Sequence, residues 1–181
     1  MSAEDRRHWD GRYRSVAPPA PRLPDLFAQY ESFFPTSGTA LDVACGTGSG
    51  ALWLALRGLD VFAVDVSPVA IGLARQVARE LGVSTHCRFE VADLDAGLPS
   101  TPPVDVILCH RFREPKLYPA LIDRLSPGGH LAIAVLSAVG AGPGRFRAPA
   151  GELSTAFATL NTVVSIEGDG VAVLIGRKAS G

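Results

Sequence analysis

Short apolar segments alternate with segments of helical spacing through most of this 181-residue chain, and this alternation is the strongest constraint on its fold. Five segments of four to six mainly apolar residues predict strands, at 40–44, 61–64, 87–91, 104–108 and 131–136. Helices are predicted between them, most clearly after Ser67-Pro68, whose residue types cap and begin helices. Such strands separated by helices are typical of a parallel sheet covered on both faces, so we predict an α/β fold.

The C-terminal part has a different pattern. Residues 153–160 are spaced as a helix, and residues 162–166 and 171–175 are two further candidate strands. Glu167-Gly168-Asp169-Gly170 lies between these strands and consists of residue types that favour turns. We therefore expect an antiparallel hairpin to close the mainly parallel sheet.

The N-terminal part contains no candidate strand. Residues 4–13 and 26–34 have helical patterns, and the segment between them holds Pro18, Pro19, Pro21 and Pro24, which break a helix. A chain of 181 residues has the length of one domain. We predict a single domain over residues 1–181, with residues 1–36 as an N-terminal helical lid segment and residues 37–181 as the core.

Composition excludes several classes of protein. Hydrophobic residues make up 47% of the chain, which excludes global disorder, and a net charge of −1 gives no electrostatic attraction to nucleic acid or an anionic membrane. The sequence has no signal-like start, no membrane-length apolar run, and no spacing of metal-ligand residues. The three cysteines are widely spaced. We expect a cytoplasmic protein with reduced cysteines and no metal.

A glycine-rich segment, Cys45-Gly46-Thr47-Gly48-Ser49-Gly50, lies between the first predicted strand and its helix. Glycines let the backbone turn tightly and approach a ligand, and the helix that follows presents free N–H groups at its start. The spacing Gly46-x-Gly48-x-x-Ala51 also fits the dinucleotide fingerprint. The loop alone therefore leaves the kind of cofactor open.

Three acidic residues near the ends of the predicted strands narrow the choice of cofactor. Asp42, inside the first strand, would repel a phosphate and attract a cation, whereas Asp65 ends the second strand, where an acid accepts ribose hydroxyls. Asp93 follows the third strand and could accept from an adenine amino group, with the N–H of Leu94 beside it. The structural alternatives are that Asp42 caps a helix or pairs with an arginine, that Asp65 is a turn residue, and that Asp93 or Asp95 is a solvated loop acid.

Residues 41–136 resemble the class I S-adenosylmethionine-dependent methyltransferases. The resemblance rests on four motifs, Leu41-Asp42-Val43-Ala44-Cys45-Gly46-Thr47-Gly48, Val64-Asp65-Val66-Ser67-Pro68, Ala92-Asp93-Leu94 and Leu125-Ser126-Pro127-Gly128-Gly129-His130-Leu131. It implies a Rossmann-like fold with a mainly parallel seven-stranded sheet, an antiparallel last strand and helices on both faces. It also implies S-adenosylmethionine as the cofactor.

The resemblance further implies which residues bind the cofactor. The glycine loop would pass the methionine moiety, Asp65 would hold the ribose and Asp93 would meet the adenine. Ala44 stands where the commonest loop of the family has a glycine. The cofactor-binding residues implied within the core are Asp42, Ala44, Cys45, Gly46, Gly48, Asp65, Val66, Asp93, Leu94 and Cys109.

Two shorter segments, Trp9-Asp10-Gly11-Arg12-Tyr13 and Gly151-Glu152-Leu153, are similar to the small tellurite-resistance and thiol branch of this family. This similarity implies that Arg12 and Tyr13 approach the carboxylate of the cofactor. It also implies that the methyl acceptor is a small, soft nucleophile.

Acceptor-binding residues are expected at the carboxyl ends of the strands. Two Arg-x-Arg pairs follow the fourth and fifth strands, the second of them in a loop rich in Gly and Pro, and their positive charge favours an anionic acceptor. The alternative is that these arginines are solvated or pair with Glu114 and Glu152. The candidate acceptor-binding residues are Trp9, Arg111, Arg113, Arg145 and Arg147.

A methyl group on a sulfonium is already activated, so the protein needs mainly to align the acceptor in line and to exclude water. A thiolate or metalloid anion needs no base, and for a hydroxyl or amine acceptor the candidate base is His110. We predict methyl transfer to a small molecule rather than to nucleic acid or at a membrane. The alternatives are an NAD-dependent oxidoreductase and a non-catalytic cofactor-binding module.

Overall fold

The computed structural model describes residues 3–18 and 20–181, and the chain divides into two compact units, residues 1–100 and 101–181. The first unit begins with a helix, as predicted, and Pro19 of the predicted connector lies outside the described residues. Short 3₁₀ helices cover Asp25–Phe33 and Leu94–Ala96. The main elements of this unit are α1 (Ala3–Tyr13), β1 (Gly38–Val43), α2 (Ser49–Leu56), β2 (Leu59–Asp65), α3 (Pro68–Glu80) and β3 (Cys87–Val91).

The strands of the first unit are all parallel and lie in the order β3-β2-β1. Val43 pairs with Val64 at the end of β1, and Asp65 pairs with Val91 at the end of β2. The carboxyl ends of the three strands, and the loops that follow them, therefore share one edge of the sheet. Leu41 on β1 is fully buried, as are Leu52 and Leu54 on α2, which packs against β2.

Helix α3 begins where the sequence predicts it. The Ser67 hydroxyl accepts a hydrogen bond from the N–H of Ala70, and Pro68 occupies the first helical position, where its missing N–H costs nothing. The apolar side of α3 is buried through Ala70, Ile71 and Val77. The start of α3 is thus fixed directly after the end of β2.

The second unit holds the remaining strands in the order β4-β5-β7-β6. β4 and β5 are parallel, and β7 is antiparallel to both β5 and β6. The predicted hairpin is present, and its two turn residues, Asp169 and Gly170, have φ of 48° and 78°, the left-handed conformations that two-residue hairpins favour. The elements are β4 (Val104–His110), α4 (Tyr118–Arg124), β5 (Leu125–Leu136), α5 (Glu152–Ala156), β6 (Asn161–Gly168) and β7 (Val171–Arg177), with a 3₁₀ helix at Pro115–Leu117.

Two boundaries in the second unit differ from the prediction by more than two residues. β5 begins at Leu125, because Val104 pairs with Leu125 and Val106 with His130, so that residues 126–129 form an irregularity within the strand instead of a turn before it. Helix α5 ends at Ala156, earlier than the periodicity of residues 153–160 indicated, since the backbone of Phe157 leaves the helical region.

The sheet has seven strands in all, mainly parallel, with the last strand of the chain antiparallel. This confirms the predicted α/β, Rossmann-like class. No helix among residues 3–18 and 20–181 is long and apolar enough to cross a membrane. The division into a lid at residues 1–36 and a core at 37–181 stays a prediction.

Candidate cofactor site and acceptor loops

The loop between β1 and α2 makes a tight turn. Ala44, Gly46 and Gly48 have φ of 56°, 54° and 85°, so three of five consecutive residues are left-handed. The N–H of Cys45 donates to the carbonyl oxygen of Val64 at 2.9 Å, and the N–H of Gly48 donates to that of Cys45 at 2.9 Å. The glycine loop is therefore hydrogen-bonded to the end of β2 as well as to itself.

The two central glycines of this loop are required for different reasons. A Cβ atom on Gly46 would lie 2.9 Å from the hydroxyl oxygen of Tyr13, which approaches the loop from α1. A Cβ atom on Gly48 would lie 2.8 Å from the Cβ of Ala74 and 2.9 Å from the ring of Phe89. Gly48 thus lets the start of α2 pack against α3 and β3, whereas the missing side chain of Gly46 leaves room for the hydroxyl of Tyr13.

Asp42 is an acid in the interior of β1, with 3% of its surface exposed. Burial raises the pKa of its carboxyl to about 8, although a hydrogen bond from the N–H of Ala51 in the first turn of α2 lowers it; the charge of Asp65 raises it further. Asp42 is therefore mostly protonated at neutral pH in the free protein. A cation bound beside it would favour the ionised form.

Asp65 ends β2 and is 5% exposed. Its Oδ2 accepts from the N–H of Gly46 at 2.8 Å, and its Oδ1 accepts from the N–H of Ser67 at 2.9 Å. Burial raises the pKa of this carboxyl, and the N–H groups of Ser67 and Gly46 lower it. A carboxylate offers about four lone pairs, so with the N–H of Val66 also bonded to it Asp65 can still accept from a ribose hydroxyl.

Tyr13, the last residue of α1, lies beside the glycine loop and Asp65. Burial, and next the charge of Asp65, raises the pKa of its hydroxyl, which therefore stays protonated and able to donate. The ring of Trp9 stacks on that of Tyr13, with 5.7 Å between centroids and 22° between planes, and the Arg12 guanidinium lies 5.7 Å from the Trp9 centroid. Trp9 of the predicted acceptor set thus lies beside the two residues predicted to approach the cofactor carboxylate.

One contact of α1 was missed by the sequence analysis. The Ser67 hydroxyl donates to Oδ1 of Asp10 at 2.5 Å, whereas the sequence indicated only a helix cap for Ser67 and no role for Asp10. Asp10 is the acid within the Trp9–Tyr13 motif, but nothing in the sequence pairs it with Ser67.

Asp93 lies two residues beyond β3 and is exposed. Its carboxylate accepts from the N–H of Asp95 at 3.0 Å and so caps the short helix that begins at Leu94. The side chains of Leu94 and Val66 are buried, 1% and 5% exposed, so only their backbones could offer polar contacts to a ligand. A role for Asp93 in adenine binding stays a prediction.

The two cysteines of the predicted cofactor set are both thiols without a disulfide. The Cys45 Sγ is 3.6 Å from the carbonyl oxygen of Gly46, and burial, and next the charge of Asp42, raises its pKa, so it remains a neutral thiol. In the second unit, Cys109 is buried near the end of β4, and its Sγ is 3.5 Å from the carbonyl oxygen of Phe112. The environment of Cys45 therefore does not activate this thiol as a nucleophile.

At the end of β4, His110 is followed by a residue in an unusual conformation. Arg111 has φ of 58°, and its N–H donates to the carbonyl oxygen of Ala134 on β5 at 2.7 Å. A left-handed arginine costs conformational energy, and such residues cluster at functional sites. The Arg111 side chain is exposed at the carboxyl ends of these two parallel strands.

Arg113 has a different environment. Its guanidinium donates to both carboxylate oxygens of Glu152, with Nε at 2.8 Å from Oε1, and the Tyr118 hydroxyl donates to the same Oε1 at 2.8 Å. The side chains of Arg113 and Glu152 are 22% and 13% exposed. This is the pairing with Glu152 that the sequence analysis left open as an alternative to acceptor binding.

Side-chain hydrogen bonds hold the two ends of the loop that follows β5. Arg147 Nη1 donates to the carbonyl oxygens of Ser137 at 2.7 Å and of Gly170 at 3.0 Å. Glu167 accepts from the Ser137 hydroxyl at 2.6 Å and from the N–H of Gly151 at 2.9 Å. By contrast, residues 141–146 are exposed.

Arg145 belongs to that exposed part of the loop. Its guanidinium lies 5.1 Å from the ring centroid of Phe146, which is 63% exposed. Of the four candidate arginines, Arg111 and Arg145 are thus exposed, and Arg113 and Arg147 are engaged within the protein. Among the described residues, no group of three or more His, Cys, Asp or Glu side chains could hold a metal ion.

The glycine loop and its acids lie within a region that is shared with a known family. A family model described as a methyltransferase domain matches residues 40–129, which include β1, the glycine loop, Asp65 and Asp93. The chain belongs to the class I S-adenosylmethionine-dependent methyltransferase family. S-Adenosylmethionine is the cofactor of this family, and the buried acids beside the glycine loop fit a ligand that carries positive charge.

The curated relatives and the solved structures match different lengths of this methyltransferase. Trans-aconitate 2-methyltransferase from Streptomyces coelicolor is 31% identical over 154 residues, which cover 81% of this chain and 46% of that protein. The chain spans between a third and a half of the curated relatives that it matches.

Two of the similar solved structures each cover 96% of the chain. TehB from Haemophilus influenzae has a TM-score of 0.74 at 18% identity, with 66% of TehB covered, which shows a shared fold. The other structure comes from work on the conversion of a disulfide bond into a thioacetal group during echinomycin biosynthesis. It has a TM-score of 0.68 at 25% identity, with 93% of that protein covered.

Proposed function

We propose that this methyltransferase transfers the methyl group of S-adenosylmethionine to a small-molecule acceptor that carries an anionic or soft nucleophilic atom, such as a thiol or a metalloid oxyanion. The observation that carries the proposal is the exposed Arg111, held in a left-handed conformation at the carboxyl end of β4. Exposed Arg145 follows the neighbouring strand β5 in the same unit. Guanidinium groups bind carboxylates and other oxyanions in a planar, bidentate manner.

Apart from Cys109, the residues proposed to hold the cofactor lie in the first unit. Asp65 would accept the ribose hydroxyls, the glycine loop would lie along the methionine moiety, and Asp42 would supply negative charge near a cationic group of the ligand. Arg12 and Tyr13 of α1 would approach the cofactor carboxylate. The bound cofactor supplies an activated methyl group, so the protein contributes mainly binding, alignment and exclusion of water.

Two of the similar proteins support the acceptor class by what their names state. Trans-aconitate 2-methyltransferase acts on a carboxylic acid, and the echinomycin protein is associated with sulfur chemistry. A thiolate or metalloid anion attacks without a base. His110, the last residue of β4, is the candidate base for a hydroxyl or amine acceptor.

The test has two stages. Calorimetric titration with S-adenosylhomocysteine and with NAD separates the methyltransferase from a nicotinamide enzyme. Transfer of labelled methyl from S-adenosylmethionine is then measured across thiols, selenite, tellurite, carboxylic acids and phenols. Binding of S-adenosylhomocysteine without transfer to any acceptor would favour a non-catalytic cofactor-binding module.

Variants then test the acceptor residues once an acceptor is found. We expect Arg111→Ala and Arg145→Ala to raise the KM of an anionic acceptor about tenfold each, the effect of one lost charge-assisted hydrogen bond, with an unchanged Kd for S-adenosylhomocysteine. Arg79→Ala on the exposed side of α3 is the matched control. An unchanged acceptor KM in both loop variants contradicts the proposed acceptor class. A cytoplasmic location and a single-domain organisation stay predictions.

A further inference from the structure

Helix α1 is joined to the start of α3 by one hydrogen bond between residues far apart in sequence. The Ser67 hydroxyl donates to Oδ1 of Asp10 at 2.5 Å in a partly buried position. Ser67 itself is fully buried. A hydrogen bond to a carboxylate in such a place is stronger than one between neutral groups.

Ser67 connects Asp10 to the cofactor-binding acid of β2. The Ser67 hydroxyl has one hydrogen, which it donates to Asp10, and it accepts from the N–H of Ala70 as the cap of α3. The backbone N–H of Ser67 donates to Oδ1 of Asp65. Asp10, Ser67 and Asp65 therefore form a continuous hydrogen-bonded chain.

The same helix places Tyr13 at the glycine loop. Asp10 and Tyr13 are three residues apart and lie on one side of α1, so fixing Asp10 also fixes Tyr13. The hydroxyl of Tyr13 is close enough to Gly46 that a Cβ there would collide with it.

Helix α1 has few apolar side chains with which to pack on the core. It contains seven charged or histidine side chains in eleven residues, and Gly11 in its last turn disfavours the helix. Its aromatic residues, Trp9 and Tyr13, stack on each other. The bond from Asp10 is thus one of the specific polar contacts that position α1.

We propose that Asp10 is a positioning residue for cofactor binding, which through its hydrogen bond with Ser67 holds α1 over the glycine loop and presents Tyr13 and Arg12 to the cofactor. This inference rests on the proposed role of Arg12 and Tyr13. It assigns to Asp10 no contact with the cofactor or with the reacting atoms.

The test compares three variants by calorimetric titration with S-adenosylhomocysteine. Asp10→Ala removes the acceptor, and we expect its Kd to rise about tenfold, the effect of one lost hydrogen bond to a charged group. Asp10→Asn keeps Oδ1 as an acceptor for the Ser67 hydroxyl, and we expect its Kd to stay within about threefold of the wild type. Glu4→Ala, an exposed acid on the same helix, is the control and should leave the Kd unchanged.

Limited digestion with trypsin reports on α1 itself. In the wild type we expect S-adenosylhomocysteine to slow cleavage after Arg12 and Arg14, and in Asp10→Ala we expect this protection to be lost at equal ligand concentration. Thermal unfolding without ligand shows whether the core of each variant is intact.

The outcomes separate the two proposals. If the wild type does not bind S-adenosylhomocysteine, the cofactor assignment fails. If the wild type binds and Asp10→Ala binds within twofold of it, the positioning role of Asp10 is overturned. An equal loss of affinity in Asp10→Asn and Asp10→Ala also overturns it, because the hydrogen-bond acceptor is then not what matters.

Discussion

The backbone N–H of Gly46 donates to Oδ2 of Asp65 at 2.8 Å, which ties the glycine loop to the acid at the end of the neighbouring strand. The other oxygen of Asp65 accepts from the N–H of Ser67. One buried carboxylate therefore fixes two loops at the carboxyl edge of the first unit's strands. A residue proposed to bind the cofactor is also part of the folded framework, so loss of binding and loss of stability must be measured separately.

Asp65→Asn should lower both the stability of the fold and the affinity for the cofactor. The amide has one acceptor oxygen, so its NH₂ group would face one of the two backbone N–H donors and leave it without a partner. We expect the free energy of unfolding to fall by about 1–3 kcal/mol, with a further loss of S-adenosylhomocysteine binding. Urea unfolding and calorimetry measure the two effects.

The control for this variant is Asp60→Asn on the same strand. The Asp60 side chain is 71% exposed and pairs with His86, so its replacement should change stability by no more than about 0.5 kcal/mol. Equal stability of Asp65→Asn and the wild type would contradict the framework role.

Asp42→Asn should stabilise the free protein at neutral pH while weakening cofactor binding. The pKa of Asp42 is about 8 in the folded state against an ordinary 3.8, so the folded state holds the extra proton between these values. The free energy of unfolding therefore decreases as pH rises from about 4 to about 8, and is level above that. Asparagine resembles the protonated acid and removes this contribution. Denaturant unfolding at pH 5, 7 and 9 checks the sign; a wild type whose stability rises from pH 5 to 7 while that of the variant does not would contradict it.

The same carboxyl should couple cofactor binding to proton release. If the positively charged ligand favours ionised Asp42, the Kd for S-adenosylmethionine should fall by up to about tenfold per pH unit below pH 8 and level off above it. Titration at pH 7 in buffers of different ionisation enthalpy should show a proton released. Asp42→Asn should bind more weakly and show no proton release from this group.

Ala44→Gly should stabilise the protein. Ala44 has φ of 56°, a conformation that glycine adopts without the penalty of a Cβ atom, although glycine also gains freedom in the unfolded state. We expect a net gain of about 0.5–1 kcal/mol in the free energy of unfolding. Ala40→Gly in the regular, buried part of β1 is the matched control and should destabilise. A lower melting temperature for Ala44→Gly would contradict the expectation.

Arg113→Ala should reduce stability more than Arg111→Ala. Removal of Arg113 leaves the largely buried Glu152 with the Tyr118 hydroxyl as its remaining side-chain hydrogen bond, and we expect a loss of about 1–3 kcal/mol. Arg111 is exposed, and its replacement should leave stability within about 0.5 kcal/mol of the wild type. Chemical denaturation compares them, and equal losses would argue against a structural role for the Arg113–Glu152 pair.

Much of the fold was predictable because its signals are local. Apolar segments located the strands, Ser67-Pro68 located the start of α3, and Asp169-Gly170 located the hairpin turn. The irregularity at residues 126–129 was not predictable, since it depends on how β5 pairs with β4.

The site was predictable to a smaller extent. The motifs indicated Asp42, the glycine loop and Asp65 as one group, and the structure brings these residues together. They gave no means of deciding whether Arg111 or Arg113 is engaged by Glu152, because that choice depends on contacts across 39 residues. The bond between Asp10 and Ser67 spans 57 residues and was equally out of reach.

The side-chain hydrogen bonds that hold the loop after β5 lie at its two ends, whereas its middle, residues 141–146, is exposed. Arg147 and Glu167 hold the two ends of the loop, and the side-chain hydrogen bonds by which they do so go to Ser137, Gly170 and Gly151, outside residues 141–146. Insertions and replacements are best tolerated where the backbone is exposed and its supporting contacts lie elsewhere. Residues 141–146 are accordingly a place where peptide segments can be inserted with the strands beneath left as they are.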